Sequence, residues 1–131
     1  GVEIEDGTDV TLIATGLMVP EALEARKLLS EEGISARVLN MATIKPIDKD
    51  IIIKAANETG AIVTAEEHNI NGGLGSAVAE VLAENSPVSM QRIGTRDVFG
   101  RSGKPAELIK LYKLDAASIA EAAKKAVSRK A

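Results

Sequence analysis

The sequence has 131 residues, of which 45% are hydrophobic and 27% are charged, and this balance predicts one folded domain rather than a disordered chain. A net charge of −3 offers no basic face for nucleic acid, and the lack of cysteine excludes disulfides, thiolate nucleophiles and cysteine-bound metals. No apolar run is long enough to span a membrane and no signal-peptide pattern is present, so we expect a soluble, cytoplasmic protein.

The first predicted elements are two short strands. Residues 2–5 alternate apolar and acidic side chains, residues 10–14 follow as a second strand, and Asp6-Gly7 between them favours a tight hairpin turn. The second run is almost continuously apolar, which is typical of a strand covered on both faces of a sheet. We therefore predict an opening hairpin that adds one antiparallel strand at an edge of the sheet.

The rest of the chain alternates between helices and strands. Helices are predicted where apolar residues recur at spacings of three and four, with prolines or aspartates near their starts and glycines at their ends. The signals are Pro20 and Gly33 for the first helix, Asp48 and Gly60 for the second, Leu74 to Leu82 for the third, Pro105 for a short fourth, and Asp115 as the cap of the last. The remaining strands are predicted at residues 36–40, 61–66 and 88–93. This alternation predicts a doubly wound, mostly parallel sheet.

The richest polar segment runs from Glu66 to Ser76, at the carboxyl end of the strand that begins at residue 61. Ligands of open α/β folds bind at that edge of the sheet, and Gly72, Gly73 and Gly75 would let backbone N–H groups approach an anion at a helix N-terminus. The glycine spacing matches neither a dinucleotide fingerprint nor a P-loop. A tight turn with close helix–sheet packing is the simpler interpretation, and contact with a ligand or a partner is the alternative.

Three titratable residues at the start of this segment are candidates for chemistry. Glu66 and Glu67 are neighbours in a strand, so their side chains point to opposite faces and do not form an acid–base pair. We expect one of them to hydrogen-bond loop amides or to meet a neighbouring subunit. His68 is the single histidine, which excludes a multi-histidine metal site. A hydrogen bond that orders its loop is the simpler role for His68, and general acid–base catalysis is the alternative.

A second polar cluster follows the last predicted strand. Arg96 and Arg101 are the right residues to hold a phosphate or a carboxylate at the same edge of the sheet. The simpler interpretation is an internal pair between an arginine and Asp97 that fixes a long loop, with Phe99 as its apolar anchor.

Four segments, in this order along the chain, together resemble the C-terminal domains of transketolases, which depend on thiamine diphosphate. The first two are residues 9–16 (DVTLIATG) and 44–48 (IKPID). The third is residues 65–68 (AEEH) followed by 72–80 (GGLGSAVAE), and the fourth is residues 97–103 (DVFGRSG) followed by Glu107-Leu108 and by Tyr112 and Leu114. The resemblance covers almost the whole chain. The family also includes deoxyxylulose-phosphate synthase and the β subunits of 2-oxoacid dehydrogenases.

The resemblance implies a three-layer α/β/α fold with a mostly parallel five-stranded sheet, and it implies that residues 1–131 form a single C-terminal-type domain. In the family, two preceding domains bind thiamine diphosphate and Mg²⁺ at a dimer interface and carry the catalytic residues. Neither the Gly-Asp-Gly metal motif nor the glutamate that activates the cofactor is present in this sequence. We therefore expect no catalytic, cofactor-binding or metal-binding residue in this domain.

The implied function is the transfer of a two-carbon ketol unit between sugar phosphates by a complete enzyme. This domain would contact the remaining transketolase domains or subunit, support a homodimer and border the active site. The alternatives are a docking domain of a 2-oxoacid dehydrogenase β subunit and a stand-alone anion-binding module. The candidate ligand or interface contacts are Glu67, His68, Gly72, Gly73, Gly75, Ser76, Arg96, Asp97 and Arg101.

Overall fold

A computed structural model describes residues 1–15, 18–41, 47–67, 73–95 and 105–130, except for the side chains of Glu67, Thr95 and residues 105–115. Strands and helices alternate along these ranges. The strands are β1 (Val2–Glu5), β2 (Val10–Ala14), β3 (Ala36–Asn40), β4 (Ala61–Glu67) and β5 (Ser89–Thr95). The helices are α1 (Val19–Glu31), α2 (Lys49–Thr59), α3 (Leu74–Asn85) and α4 (Pro105–Ser128).

The five strands form one sheet in the order β1-β3-β2-β4-β5. Strands β2 to β5 are parallel to one another, and only β1 is antiparallel to its neighbour among the described strands. The central strand β2 is buried along its whole length, which explains its nearly continuous apolar sequence. The predicted mostly parallel sheet with one antiparallel edge strand is therefore confirmed.

Helices cover both faces of the sheet. Side chains alternate between the two faces along each strand, so Leu12 of β2 packs in one core with α1 and α4, while Ile13 packs in a second core with α2 and α3. The two cores make the three layers expected from the sequence. Below, the two sides are called the α1/α4 face and the α2/α3 face.

The predicted hairpin between β1 and β2 is wrong. Strand β1 pairs with β3, with Glu3 opposite Leu39, and β3 lies between β1 and β2. Both sides of β2 are already taken by the parallel strands β3 and β4, so no place beside it is left for β1. Gly7 crosses the start of β3 so closely that a Cβ atom there would lie 2.2 Å from the carbonyl carbon of Ala36. The glycine therefore permits a crossing of two chain segments and not a hairpin turn.

The predicted ends of the first two helices are confirmed. Asp48 caps α2, because its Oδ1 accepts a hydrogen bond from the backbone N–H of Ile51 at 3.3 Å. That hydrogen bond lowers the pKa of Asp48 from its usual value. Gly60 and Gly33 follow α2 and α1 with φ angles of 72° and 77°, the left-handed region that favours glycine at a helix end.

Two predicted helices near the C-terminus are one. Asp115, expected to cap the last helix, lies within α4, which runs for 24 residues. Neither glycine nor proline occurs between Pro105 and Ser128, and the alanines around Asp115 favour continuation of the helix. Although α4 is long, none of the helices in the described ranges has the length and apolar character needed to cross a membrane.

Candidate functional site

The carboxyl ends of β2, β3, β4 and β5 lie along one edge of the sheet because these strands are parallel. After β2 the chain enters α1 on one face, and after β4 it enters α3 on the other. Ligand sites of doubly wound folds lie at such a change of face. The segments that follow these strands, residues 16–17, 42–46, 68–72 and 96–104, lie outside the described residues. The polar contacts that the structure describes at this edge lie between the end of β4, the start of α3 and β5.

Glu66 joins β4 to α3. Its Oε2 atom accepts a hydrogen bond from the backbone N–H of Gly75 at 2.7 Å. The first N–H groups of a helix lack partners within the helix, and a carboxylate at this end also interacts favourably with the helix dipole. Glu66 thus supplies from a neighbouring strand the acceptor that an N-cap side chain usually provides. This agrees with the expectation that one of the two glutamates bonds a backbone amide, although the amide belongs to the helix and not to the loop.

The glycines of the turn are required for two different reasons. Gly73, at the N-cap position of α3, has φ of 87°, and among the described residues no atom beyond its chain neighbours lies within 4 Å of where its Cβ would be. The backbone conformation therefore favours glycine at Gly73. Gly75 lies inside the helix, where a Cβ atom would lie 2.4 Å from Nε of Arg92. Close approach of the arginine therefore favours glycine at Gly75.

Arg92 of β5 is the residue of this edge that sequence reasoning missed. It is exposed, and its guanidinium group lies across the first turn of α3. Its Nη2 atom donates a hydrogen bond to Oγ of Ser76 at 3.1 Å. One signal in the sequence was available: in the predicted strand, Arg92 is two residues from Met90, so both belong to the face that α3 covers.

The structure brings together Gly73, Gly75 and Ser76 of the candidate contacts and adds Glu66 and Arg92 to them. For Glu67 the structure describes only the backbone, at the end of β4. The other candidates lie outside the described residues: His68, Gly72, Arg96, Asp97 and Arg101.

The described residues do not fit thiamine diphosphate or its metal. In the ranges that the structure describes, no group of three or more histidine, cysteine, aspartate or glutamate side chains is placed to hold a metal ion. The Gly75 amide, which an anion would use at the start of α3, is already bonded to Glu66. No step of cofactor chemistry is assigned to these residues.

A second concave surface lies on the α1/α4 face. It is a groove of about 750 Å³ between β5 and the second half of α4. Gln91 and Ile93 line it from the strand, and Glu121 and Lys124 line it from the helix. Because successive strand residues face opposite sides, this groove is separate from the contacts that Arg92 makes with α3.

Comparison with known proteins reveals closely similar chains. The family described as the transketolase C-terminal domain matches residues 1–119. The putative transketolase C-terminal section of Methanocaldococcus jannaschii is 56% identical over 122 residues, which are 92% of this chain and 38% of that protein. A 1-deoxy-D-xylulose-5-phosphate synthase of Heliobacterium modesticaldum is 45% identical over 95% of this chain and 19% of its own length.

One solved structure is similar over nearly the whole fold. It is a split-gene transketolase described as an inactive β4 tetramer, with 48% identity and a TM-score of 0.84 over 99% of this chain. The match spans 43% of that protein. The present chain therefore spans less than half the length of each of these relatives.

Proposed function

Since this chain belongs to the transketolase C-terminal domain family, we propose that it is the C-terminal domain of a transketolase that transfers a two-carbon ketol unit between sugar phosphates. Residues 1–131 then act as one domain, and other domains or a partner subunit bind thiamine diphosphate and Mg²⁺ and carry out the chemistry. The identity of 56% to a transketolase C-terminal section supports this assignment. A cytoplasmic location, expected from the sequence, is part of the same proposal.

The role we propose for the domain is to support assembly and to border the active site. The contacts of Glu66 and Arg92 favour this role over direct chemistry. Glu66 bonds the Gly75 amide and Arg92 bonds the Ser76 hydroxyl, so both side chains hold the first turn of α3 in place. These contacts are structural, which agrees with a supporting role. The Glu66 contact also counts against a stand-alone anion-binding module, because it occupies one of the first-turn N–H groups that such a module would use.

We propose that the complete enzyme is a homodimer to which this domain contributes contacts. Strand β5 lies at an edge of the sheet, and the groove beside it exposes both apolar and charged groups. Among the described strands β5 is an outermost one, and an edge strand next to such a groove is a common place for another chain to bind. The description of the similar split-gene transketolase as a tetramer supports association in this family.

The test is an assay of the complete protein, together with its partner chain if the enzyme is split. Ketol transfer from xylulose 5-phosphate to ribose 5-phosphate would be measured with thiamine diphosphate and Mg²⁺ present, before and after deletion of residues 2–131. We expect activity in the intact protein and loss of dimers after the deletion. Decarboxylation of a 2-oxoacid without ketol transfer would instead assign the domain to the docking class of 2-oxoacid dehydrogenase β subunits.

A second candidate function is favoured by one comparison. Identity of 45% to a 1-deoxy-D-xylulose-5-phosphate synthase shows that the same domain type serves another activity. A fold family alone does not determine the substrate, since reactions are set by the site. The two candidates are separated by following 1-deoxy-D-xylulose 5-phosphate as a product: its formation without ketol transfer would replace the transketolase proposal.

A further inference from the structure

Two charged side chains from neighbouring strands converge on one glycine. Glu66 of β4 accepts a hydrogen bond from the Gly75 amide with an N···O distance of 2.7 Å, and Arg92 of β5 places its Nε 2.4 Å from where a Gly75 Cβ would be. The register explains how both reach it: Arg92 is paired with Thr64, two residues before Glu66 on the same face of β4. The first turn of α3 is thus held by both strands at once.

The arginine contact contributes little to stability. Arg92 is exposed, and an exposed polar contact of a long side chain is worth about 0–1 kcal/mol. In return the first turn of the helix carries glycine at position 75, where alanine would be more favourable by at most about 1 kcal/mol, the difference measured in a helix interior. An alanine Cβ would displace the flexible guanidinium group. The sequence therefore keeps the contact at the expense of helix stability, which points to a role in position.

We propose that Arg92 is a positioning residue, which together with Glu66 fixes the start of α3 against β4 and β5 and so holds the Gly73 turn in place at the carboxyl edge of the sheet. Its effect on catalysis rests on the proposed function, in which this edge borders the path of the sugar phosphates. Arg92 does not itself act on the reacting atoms.

Kinetics of ketol transfer by the complete protein provide the first test. Because the reacting groups are untouched, we expect Arg92→Met and Gly75→Ala each to raise KM for ribose 5-phosphate by up to about fivefold, with kcat within about twofold of the parent. About fivefold is the limit at which the whole free energy of the lost Arg92–Ser76 contact appears in substrate binding. Arg92→Lys would restore part of the loss, since lysine keeps the charge but not the planar fork. Lys54→Met is the matched control, because it removes one exposed positive charge from α2 and leaves KM unchanged.

The double variant separates positioning from general destabilisation. Gly75→Ala raises helix propensity, so a higher KM in this variant cannot come from a weaker helix. If alanine acts by displacing Arg92, the double variant Gly75→Ala/Arg92→Met has the same KM as either single variant. Parental KM values in the single variants, or effects that multiply in the double variant, would overturn the proposal.

Hydrogen exchange of the complete protein tests the same contact without an assay. Faster exchange of the Gly75 and Ala77 amides, which are bonded to Glu66 and to the Gly73 carbonyl, is expected in Arg92→Met and Gly75→Ala, and parental exchange in Lys54→Met. Unchanged exchange in Arg92→Met would overturn the positioning proposal, whether or not the parent protein catalyses ketol transfer. Absence of ketol transfer in the parent protein would contradict the proposed function, and this is a separate outcome. Faster exchange with an unchanged KM would overturn the positioning role in the reaction.

Discussion

Two arginines at opposite edges of the sheet are used in opposite ways. At the amino edge, the Arg37 side chain is only 6% exposed and forms ion pairs with Glu58 at 2.7 Å and Asp6 at 3.2 Å. Its Nε also donates to the carbonyl oxygen of Gly7 at 3.2 Å. Arg92, in the middle of β5, extends an exposed side chain to the carboxyl edge, where it bonds Ser76 and lies close to Gly75 in the first turn of α3.

The difference between the two arginines indicates that the amino edge stabilises the fold, whereas the carboxyl edge is the place for functional contacts. At the amino edge, the buried Arg37 guanidinium connects the segment before β2, through Asp6 and Gly7, with the end of α2, through Glu58. The carboxyl edge instead uses exposed polar contacts that orient one helix end. Functional residues of α/β folds lie at the carboxyl edge, where a strongly stabilising cluster would restrict what can bind.

Replacement of the two arginines should give the largest contrast. Arg37→Ala leaves a gap and removes the charge-assisted hydrogen bond to the Gly7 carbonyl, so we expect the free energy of unfolding to fall by about 2 kcal/mol. The three carboxylates that lose their partner are between 41% and 76% exposed and remain hydrated. Arg92→Ala should lower it by less than about 1 kcal/mol. Urea unfolding measures both values. Equal losses at the two positions would remove the distinction between the edges.

Two buried threonines extend the comparison into the core. Thr11 and Thr64 are both fully buried, but the Thr11 hydroxyl shares a hydrogen bond with Thr59 at 2.9 Å, whereas the Thr64 hydroxyl has no partner among the described residues. We expect Thr11→Val to lower the free energy of unfolding by about 1 kcal/mol and Thr64→Val to leave it unchanged or raise it slightly. A larger loss for Thr64→Val would show that its hydroxyl has a partner in solution.

Helix starts at the carboxyl edge allow a smaller test. Asp48 caps α2 from within its own chain segment, whereas Glu66 reaches α3 from another strand. The Asp48 side chain is 39% exposed and its hydrogen bond is long, so the cap should contribute only about 0.7 kcal/mol to the free energy of unfolding at pH 7. Asp48→Ala would remove this contribution. The folded-state pKa of Asp48 is lowered, so this stability is present above its unfolded-state pKa and is lost as the pH falls through the folded value. The free energies of unfolding of the parent protein and of Asp48→Ala would be measured from pH 7 to pH 2, and the difference between them should shrink below about pH 4. A difference that does not change with pH would contradict the cap.

Phosphate should produce the smallest effect. Because Glu66 is bonded to the Gly75 amide, we expect phosphate at constant ionic strength to leave the thermal midpoint of the parent protein unchanged. Glu66→Ala frees that amide beside Arg92, and phosphate should then raise the midpoint. Stabilisation of the parent by phosphate would favour the stand-alone anion-binding alternative.

Most of the fold could be predicted because each element has a local signal. Apolar spacing, Asp48, Gly33 and Gly60 located the helices, since caps and left-handed glycines act within a few residues. The pairing of β1 could not be predicted in this way. Asp6-Gly7 indicates that the chain changes direction, but it does not specify which strand β1 pairs with. That pairing depends on β2 being already paired with β3 and β4 on its two sides.

The candidate site was predicted less completely. The turn at Gly73 and an amide partner for a glutamate followed from the local sequence, but the contact of Arg92 with Gly75 depends on the register between β4 and β5. Asp115 was interpreted as a helix cap because aspartate serves in both settings, and the neighbouring alanines decided otherwise. Roles for His68, Arg96, Asp97 and Arg101 remain predictions.

The reversed direction of β1 has a practical consequence for labelling. Val2 lies opposite Asn40, at the carboxyl edge, whereas the end of α4 lies at the amino edge, where its Ala126 carbonyl accepts a hydrogen bond from Ser89 at the start of β5. The two edges are separated by the length of a strand, about 15–20 Å. A fluorophore placed on the last turn of α4 would leave the carboxyl edge accessible, whereas one placed at Val2 would crowd it.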